Sequence, residues 1–168
     1  MTTDVGALDP GAFHEIVSNL EYPMFVVAAA ADGDADACLV GFTSQCSIDP
    51  SRFAVFLSKE NHTYDVALRA EVLVVHRLRA DQHQLAEHFG GKSAYDDPNK
   101  LRECEWTAGP GGSPVIEGCD WFAGRVLQHV DTGDHVLFHL EPIGGQVQET
   151  DQLGSQEAFD IEAGRPAS

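Results

Sequence analysis

Two segments constrain the fold more than anything else in the chain: Ala31-Asp32-Gly33-Asp34 and Asp131-Thr132-Gly133-Asp134, each a turn signal set between two apolar runs. In the first, the Asp-Gly pair supplies the backbone angles that a two-residue hairpin needs, and the second is a tight turn containing Gly133. Met24 to Ala30 (MFVVAAA) and Ala37 to Gly41 therefore read as one antiparallel pair, and Trp121 to Val130 with His135 to Ile143 as another. Phe53 to Leu57 (FAVFL), Val72 to Leu78 (VLVVHRL) and Pro114 to Ile116 add further strands, and Asp49-Pro50 marks one more turn. Six or seven strands joined mainly by hairpin-type turns predict a mainly β fold, a closed antiparallel barrel with short helices, and not a doubly wound parallel sheet.

Helix signals are few. Phe13, Ile16, Val17 and Leu20 recur at helical spacing in an N-terminal arm that Pro23 ends. Asn61 or Thr63 can cap a helix over Tyr64 to Arg69. Asp81 with Gln84 forms a start like a capping box, after which Leu85, His88 and Phe89 face one way and Gly90-Gly91 stops the helix. Residues 91–113 read as a long irregular loop containing Trp106, of the kind that is often functional. The chain has 168 residues, which predicts one domain over residues 1–153 and a loosely held tail over 154–168.

Charge narrows the function. The net charge is −17, with three lysines, so a phosphate backbone or an anionic membrane surface would be repelled and neither is expected as a partner. No apolar stretch approaches the roughly 18 residues of a membrane helix. The opening MTTDVGALDP has neither a basic residue nor an apolar run, so no secretory signal is read there and a cytoplasmic location is expected. Cys38, Cys46, Cys104 and Cys119 make no C-x-x-C pair and no zinc pattern, which predicts free thiols. His135 and His139 share a strand face, but no third ligand is apparent and no metal is expected.

Four constellations could carry chemistry. Phe42-Thr43-Ser44-Gln45-Cys46-Ser47 is small and polar directly after an apolar strand, where backbone N–H groups can approach an anion or a ring edge; an ordinary polar loop would look the same. Lys59-Glu60-Asn61-His62-Thr63 lies between a strand and a helix start and suits a phosphate, or merely caps the helix. Arg77 and Arg79 suit a phosphate by their forked geometry, and equally suit pairing with the 27 acidic residues. Gly133-Asp134-His135 presents an imidazole at a turn.

Taken in order, YPMFVVAAAADGD, CLVGFTSQCSIDPSRFAVFLSKENHTYD, VLVVHRLRADQHQLAEHFGG and EWTAGPGGSPVIEGCDWFAGRVLQHVDTGDHVLFHLEPI resemble the flavin reductase-like family over roughly residues 13–145. The resemblance implies an FMN-binding split barrel with Greek-key antiparallel strands. It places Phe42, Thr43, Ser44, Gln45, Cys46 and Ser47 along the flavin ring and phosphate, and Lys59, Asn61, His62 and Thr63 on the ribityl-phosphate side. It puts Phe89 at the border of the cofactor and His135, the catalytic candidate, against the nicotinamide nucleotide. Ser44-Gln45-Cys46 stands where the family often has Ala-Ser-Ser, and Gly124 where many members carry a cysteine. The implied activity is hydride transfer from NADH or NADPH to FMN in a homodimer that supplies a monooxygenase component or another acceptor. A carrier that binds FMN or another planar cofactor without nicotinamide turnover is the alternative, as is a reductase that keeps its flavin.

Overall fold

The computed structural model describes residues 6–148 and 160–161. Within them a helix α1 (Pro10–Ser18) precedes four strands, β1 (Phe25–Ala31), β2 (Asp34–Val40), β3 (Thr43–Ser47) and β4 (Arg52–Ser58). Helix α2 (His62–Ala67), strand β5 (Val72–Arg77) and helix α3 (His83–Gly91) follow. The short strands β6 (Trp106–Ala108) and β7 (Pro114–Ile116) then lead into the long hairpin β8 (Asp120–Asp131) and β9 (His135–Gln146). Seven strands form one antiparallel sheet in the order β2-β1-β5-β8-β9-β4-β3, while β6 and β7 pair separately. The end strands β2 and β3 are consecutive in the chain and joined by Gly41-Phe42, so the two edges of the sheet are drawn together and the sheet curls into a split barrel.

The first hairpin forms as its turn residues dictate. Asp32 and Gly33 take φ of 54° and 80°, the two positive angles of the mirror-image turn whose twist matches paired strands. Strand β1 is apolar at successive positions because both of its faces are covered. Phe25, Val27 and Ala29 point into the barrel with Val55, Leu57, Leu73, Val75 and Phe138. Val26 and Ala28 point outward against Val74, Ala86, Phe89, Leu101 and Ile116.

That outer layer is where structure and expectation part. Residues 91–113 are not a bare loop: they carry a short 3-10 turn at Lys100–Glu103, strand β6 and a second turn at Pro110–Gly112. They pack Leu101 and Cys104 onto the outer face of β1 and β5. Ser113 is fully buried there; its hydroxyl accepts the Ala30 N–H at 3.1 Å and donates to the Val72 carbonyl at 2.8 Å. The helix after β5 is not started by Asp81 and Gln84. Gln82 Oε1 accepts the Arg79 N–H at 2.9 Å, and a 3-10 turn at Ala80–Gln82 leads into α3. Helix α3 does stop at Gly90-Gly91, which are its last two residues. Gly90 is there for closeness, since a Cβ on it would lie 2.8 Å from Leu39 Cδ2 on β2.

Helix α1 is capped by Asp9, whose Oδ1 accepts the Gly11 and Ala12 N–H groups at 2.8 and 3.1 Å. It buries no residue, and Phe13 and Ile16 remain exposed. The boundary at 153 and most of the tail at 154–168 lie outside the described residues. Asp160 and Ile161 are described, and both dock on α3: Asp160 Oδ1 meets His83 Nε2 at 2.8 Å, and Ile161 Cγ2 lies 3.0 Å from where a Cβ on Gly90 would stand.

Candidate functional site

The site grows from the corner between β2 and β3. Gly41 and Phe42 turn the chain there, and the Phe42 carbonyl accepts the Phe56 N–H of β4 at 3.0 Å. Antiparallel pairing of β4 with β9 sets Ser58 opposite His135. The chain then leaves β4 through Lys59 and Glu60 to Asn61, the residue that begins α2. Leu39, Val40, Gly41, Phe42, Phe56, Ser58, Asn61 and His135 thereby line one cleft of about 200 Å³.

Three features of this cleft bear on chemistry. The His135 ring stands 5.2 Å from the Phe42 ring, and Phe42 meets Tyr22 edge-on at 5.8 Å. His135 Nδ1 lies 2.7 Å from Asp134 Oδ1. A carboxylate only accepts, so Nδ1 carries the proton and Nε2 is left as the ring's other polar atom. Thr43 pairs with Val55, whose side chain points into the barrel, so its hydroxyl lies on the face of the sheet opposite Phe56, Ser58 and His135; it is sealed from solvent and has no hydrogen-bond partner among the described residues. A buried hydroxyl left unpaired is costly, and native proteins place such atoms where a ligand or water completes them. The Asn61 side chain caps no backbone group of α2, which leaves its amide for the cleft.

The segment from Thr43 to Ser47 is a strand, β3, and not the loop its composition suggests. It pairs with β4 and is bulged between Gln45 and Ser47. As a sheet edge it leaves Ser44, Gln45 and Cys46 exposed; the Ser44 hydroxyl donates to the Gln45 carbonyl and the Gln45 amide to the Ser47 carbonyl. Of the residues expected near a cofactor, the structure thus brings Phe42, Asn61 and His135 to one cleft, while the Thr43 side chain faces the barrel interior.

Others are held elsewhere. Thr63 is fully buried, and its hydroxyl donates to Asp36 Oδ2 at 2.8 Å. His62 sits between Asp36 Oδ2 at 3.2 Å and Asp34 Oδ2 at 3.3 Å. Phe89 is buried in the outer layer with Ala86 and Leu101. Arg77 pairs with Asp120, and Arg79 with Asp81 at 3.0 Å. The Lys59 ammonium lies 2.6 Å from Asp131 Oδ2. That hydrogen bond, with the Gly133 N–H, holds the Asp131 carboxyl below the usual carboxylate range, and His135 does the same for Asp134. The burial of Cys38 and Cys119 pushes both thiols up to about 11, so neither is a nucleophile at neutral pH.

Reading the residues alone missed Leu39, Phe56 and Ser58, and also Tyr22 and Asp131. Ser58 and Asp131 could have been found from register: a strand ending at Ser58 against one beginning at His135 sets Lys59 beside the 131–134 turn. Tyr22 carries no such signal.

Comparison with known proteins bears on the family and the fold. The flavin reductase like domain family matches residues 17–157. An FMN reductase (NADH) RutF of Pseudomonas syringae pv. syringae is 25% identical over 142 residues, covering 83% of this chain and 78% of that protein. HsaB of Rhodococcus jostii, the reductase subunit of a flavin-dependent monooxygenase, is 26% identical over 134 residues, covering 77% and 65%. Among solved structures, BorF, the flavin reductase component of a bacterial two-component tryptophan halogenase, superposes with a TM-score of 0.75 at 22% identity over 89% of this chain and 95% of that one.

Proposed function

The chain belongs to the flavin reductase-like family, and on that premise we propose that it is an NAD(P)H-dependent flavin reductase with its site at the β2–β3 corner. The observation that carries this reading is the convergence of Phe42, Asn61 and His135 on one cleft. FMN, when bound, supplies the acceptor for a hydride from the nicotinamide. The chain's part is positional. The Ser58 hydroxyl and the Asn61 amide are neutral hydrogen-bonding groups suited to a flavin's polar edge and side chain. Phe42 supplies an aromatic wall. His135 keeps its Nδ1 proton on Asp134 and presents Nε2 to the nicotinamide nucleotide. No side-chain nucleophile is required.

A cleft of about 200 Å³ is smaller than the roughly 300–1,000 Å³ of sites that enclose a small molecule. A second copy of the chain would complete the wall, and we assign a homodimer on that ground. Reduced flavin would pass to a monooxygenase-type component, as the names of HsaB and BorF suggest for those proteins. We place the protein in the cytoplasm, which its four free cysteines support.

The test is an anaerobic spectrum of the protein with FMN, before and after NADH. The expected result is bleaching of the flavin band faster than in free FMN, and slower in a His135→Ala variant. A bound flavin that NADH leaves unbleached would turn the reading into a carrier, and absence of binding would remove it.

A further inference from the structure

Beyond Val126, strand β8 runs past the end of β5, whose pairing stops at Arg125. The distal part of the β8–β9 hairpin is therefore braced on its sheet by β4 alone, through β9. Its tip carries His135, and the bonds within the tip are local. The Thr132 N–H and hydroxyl reach the His135 carbonyl at 3.0 and 2.8 Å, and the Gly133 N–H reaches Asp131 Oδ1 at 3.0 Å. They shape the turn without tying it to anything else.

The tie comes from Lys59. Its backbone N–H donates to the Asp134 carbonyl at 3.0 Å, and its ammonium donates to Asp131 Oδ2 at 2.6 Å. One residue thus grips both ends of the turn, one with its backbone and one with its side chain, and the Asp134 it holds is the residue whose carboxylate fixes the His135 ring. An ammonium so placed is a poor ligand for a flavin phosphate. It would have to leave Asp131, or bring the phosphate against that carboxylate.

We propose that Lys59 is a positioning residue for His135, fastening the β8–β9 turn through Asp131 and Asp134 so that the imidazole is held at the cleft, and is not the phosphate ligand. The proposal rests on the flavin reductase reading of the site for its kinetic consequence and on the turn geometry alone for its structural one.

The experiment compares Lys59→Met, Asp131→Asn, the double variant and Lys59→Arg in the full chain, with two readouts. In the protein without added cofactor, amide hydrogen exchange at Thr132 and Gly133 is expected to accelerate in both single variants, no further in the double variant, and to return in Lys59→Arg. In turnover, KM for NADH is expected to rise about three- to fivefold in each single variant, the size of effect an exposed ion pair supports. The double variant should add nothing, kcat should change less than KM, and FMN affinity should stay within about twofold. If Lys59→Met weakens FMN binding while Asp131→Asn tightens it, Lys59 is a phosphate ligand and the proposal is overturned. If the turn amides exchange as in the parent, the fastening itself is refuted. Should FMN and NADH fail to react at all, the functional reading falls, and the exchange data still decide the fastening.

Discussion

Lys100 and Asp36 form an ion pair in the interior, and breaking it from one side is the sharpest test of how this fold is held. The ammonium lies 3.0 Å from Asp36 Oδ1, with side-chain exposures of 3% and 1%. Asp36 Oδ2 accepts from Thr63, and Lys100 also donates to the Lys92 carbonyl at 3.3 Å. The pair thus ties the 3-10 turn of the outer layer to β2 and α2. Replacing Lys100 by Met keeps most of the volume and removes the charge, so Asp36 is left buried without its counter-ion. Loss of one member of a buried pair costs about 3–5 kcal/mol, against a total stability of about 5–15 kcal/mol. For a chain of this size that is a fall in Tm of roughly 10 °C or more. The double variant Asp36→Asn with Lys100→Met removes both charges and should recover most of the loss, a coupling of about 2–3 kcal/mol. Urea unfolding of the four proteins, with unchanged slope, measures it. If Lys100→Met shifts stability by less than about 1 kcal/mol, Asp36 is reached by water or protonated, and the picture of a sealed pair is wrong.

Three further changes test other parts of the structure. Thr43→Val removes a buried hydroxyl that has no partner among the described residues, so it should stabilise the cofactor-free protein by about 1 kcal/mol; calorimetry reads it, and a loss of stability would show that the hydroxyl is hydrogen-bonded in the folded protein. His76 is buried with Nδ1 donating to the Val26 carbonyl and Nε2 accepting the Ile116 N–H, and burial lowers its pKa from 6.5 to about 4. The unfolded chain therefore takes up that proton first, so this contribution is whole above pH 6.5 and is lost as pH falls towards 4, in all roughly 3 kcal/mol; urea unfolding between pH 7 and 4.5 should show a dependence that is one proton shallower in His76→Leu. Gly124→Cys should cost about 1–3 kcal/mol in the same assay, because a Cβ there would lie 2.8 Å from Leu140 Cβ.

What the sequence discloses of this fold follows from which faces are covered. β1 and β5 are buried on both sides, so MFVVAAA and VLVVHRL stand out as continuous apolar runs. β3 has one neighbour and exposed side chains, so its TSQCS carries neither an apolar run nor an alternation, and it reads as a loop. The outer layer of residues 91–113 packs through isolated residues such as Leu101 and Ser113, and composition alone hides that. Among the residues lining the cleft, His135 is legible because its turn is, and Phe42 and Asn61 because they flank recognisable strands. Thr63 and His62 lie away from it for one reason: Asp36, in Asp34-Ala35-Asp36, alternates like a solvent-facing residue, whereas it is nearly sealed and gathers both of them together with Lys100.

The same pairing explains how so acidic a chain can serve anionic ligands. Lys59, Lys92, Lys100, Arg52, Arg69, Arg77, Arg79 and Arg125 each stand in an ion pair with a carboxylate. Against a net charge of −17 that outcome is close to forced: cations are scarce and carboxylates surround them. Among the described residues, candidates chosen by their charge, such as Arg77, Arg79 and Lys59, already stand against a carboxylate. What remains at the β2–β3 corner is the Ser58 hydroxyl, the Asn61 amide, the His135 imidazole and the backbone. Two of the carboxylates nearest to it, Asp131 and Asp134, have their charge turned inward on Lys59, Gly133 and His135. Lys59 neutralises part of the acidic wall beside the cleft, and the donors left at the cleft are the Ser58 hydroxyl, the Asn61 amide and backbone N–H groups, none of which carries a charge.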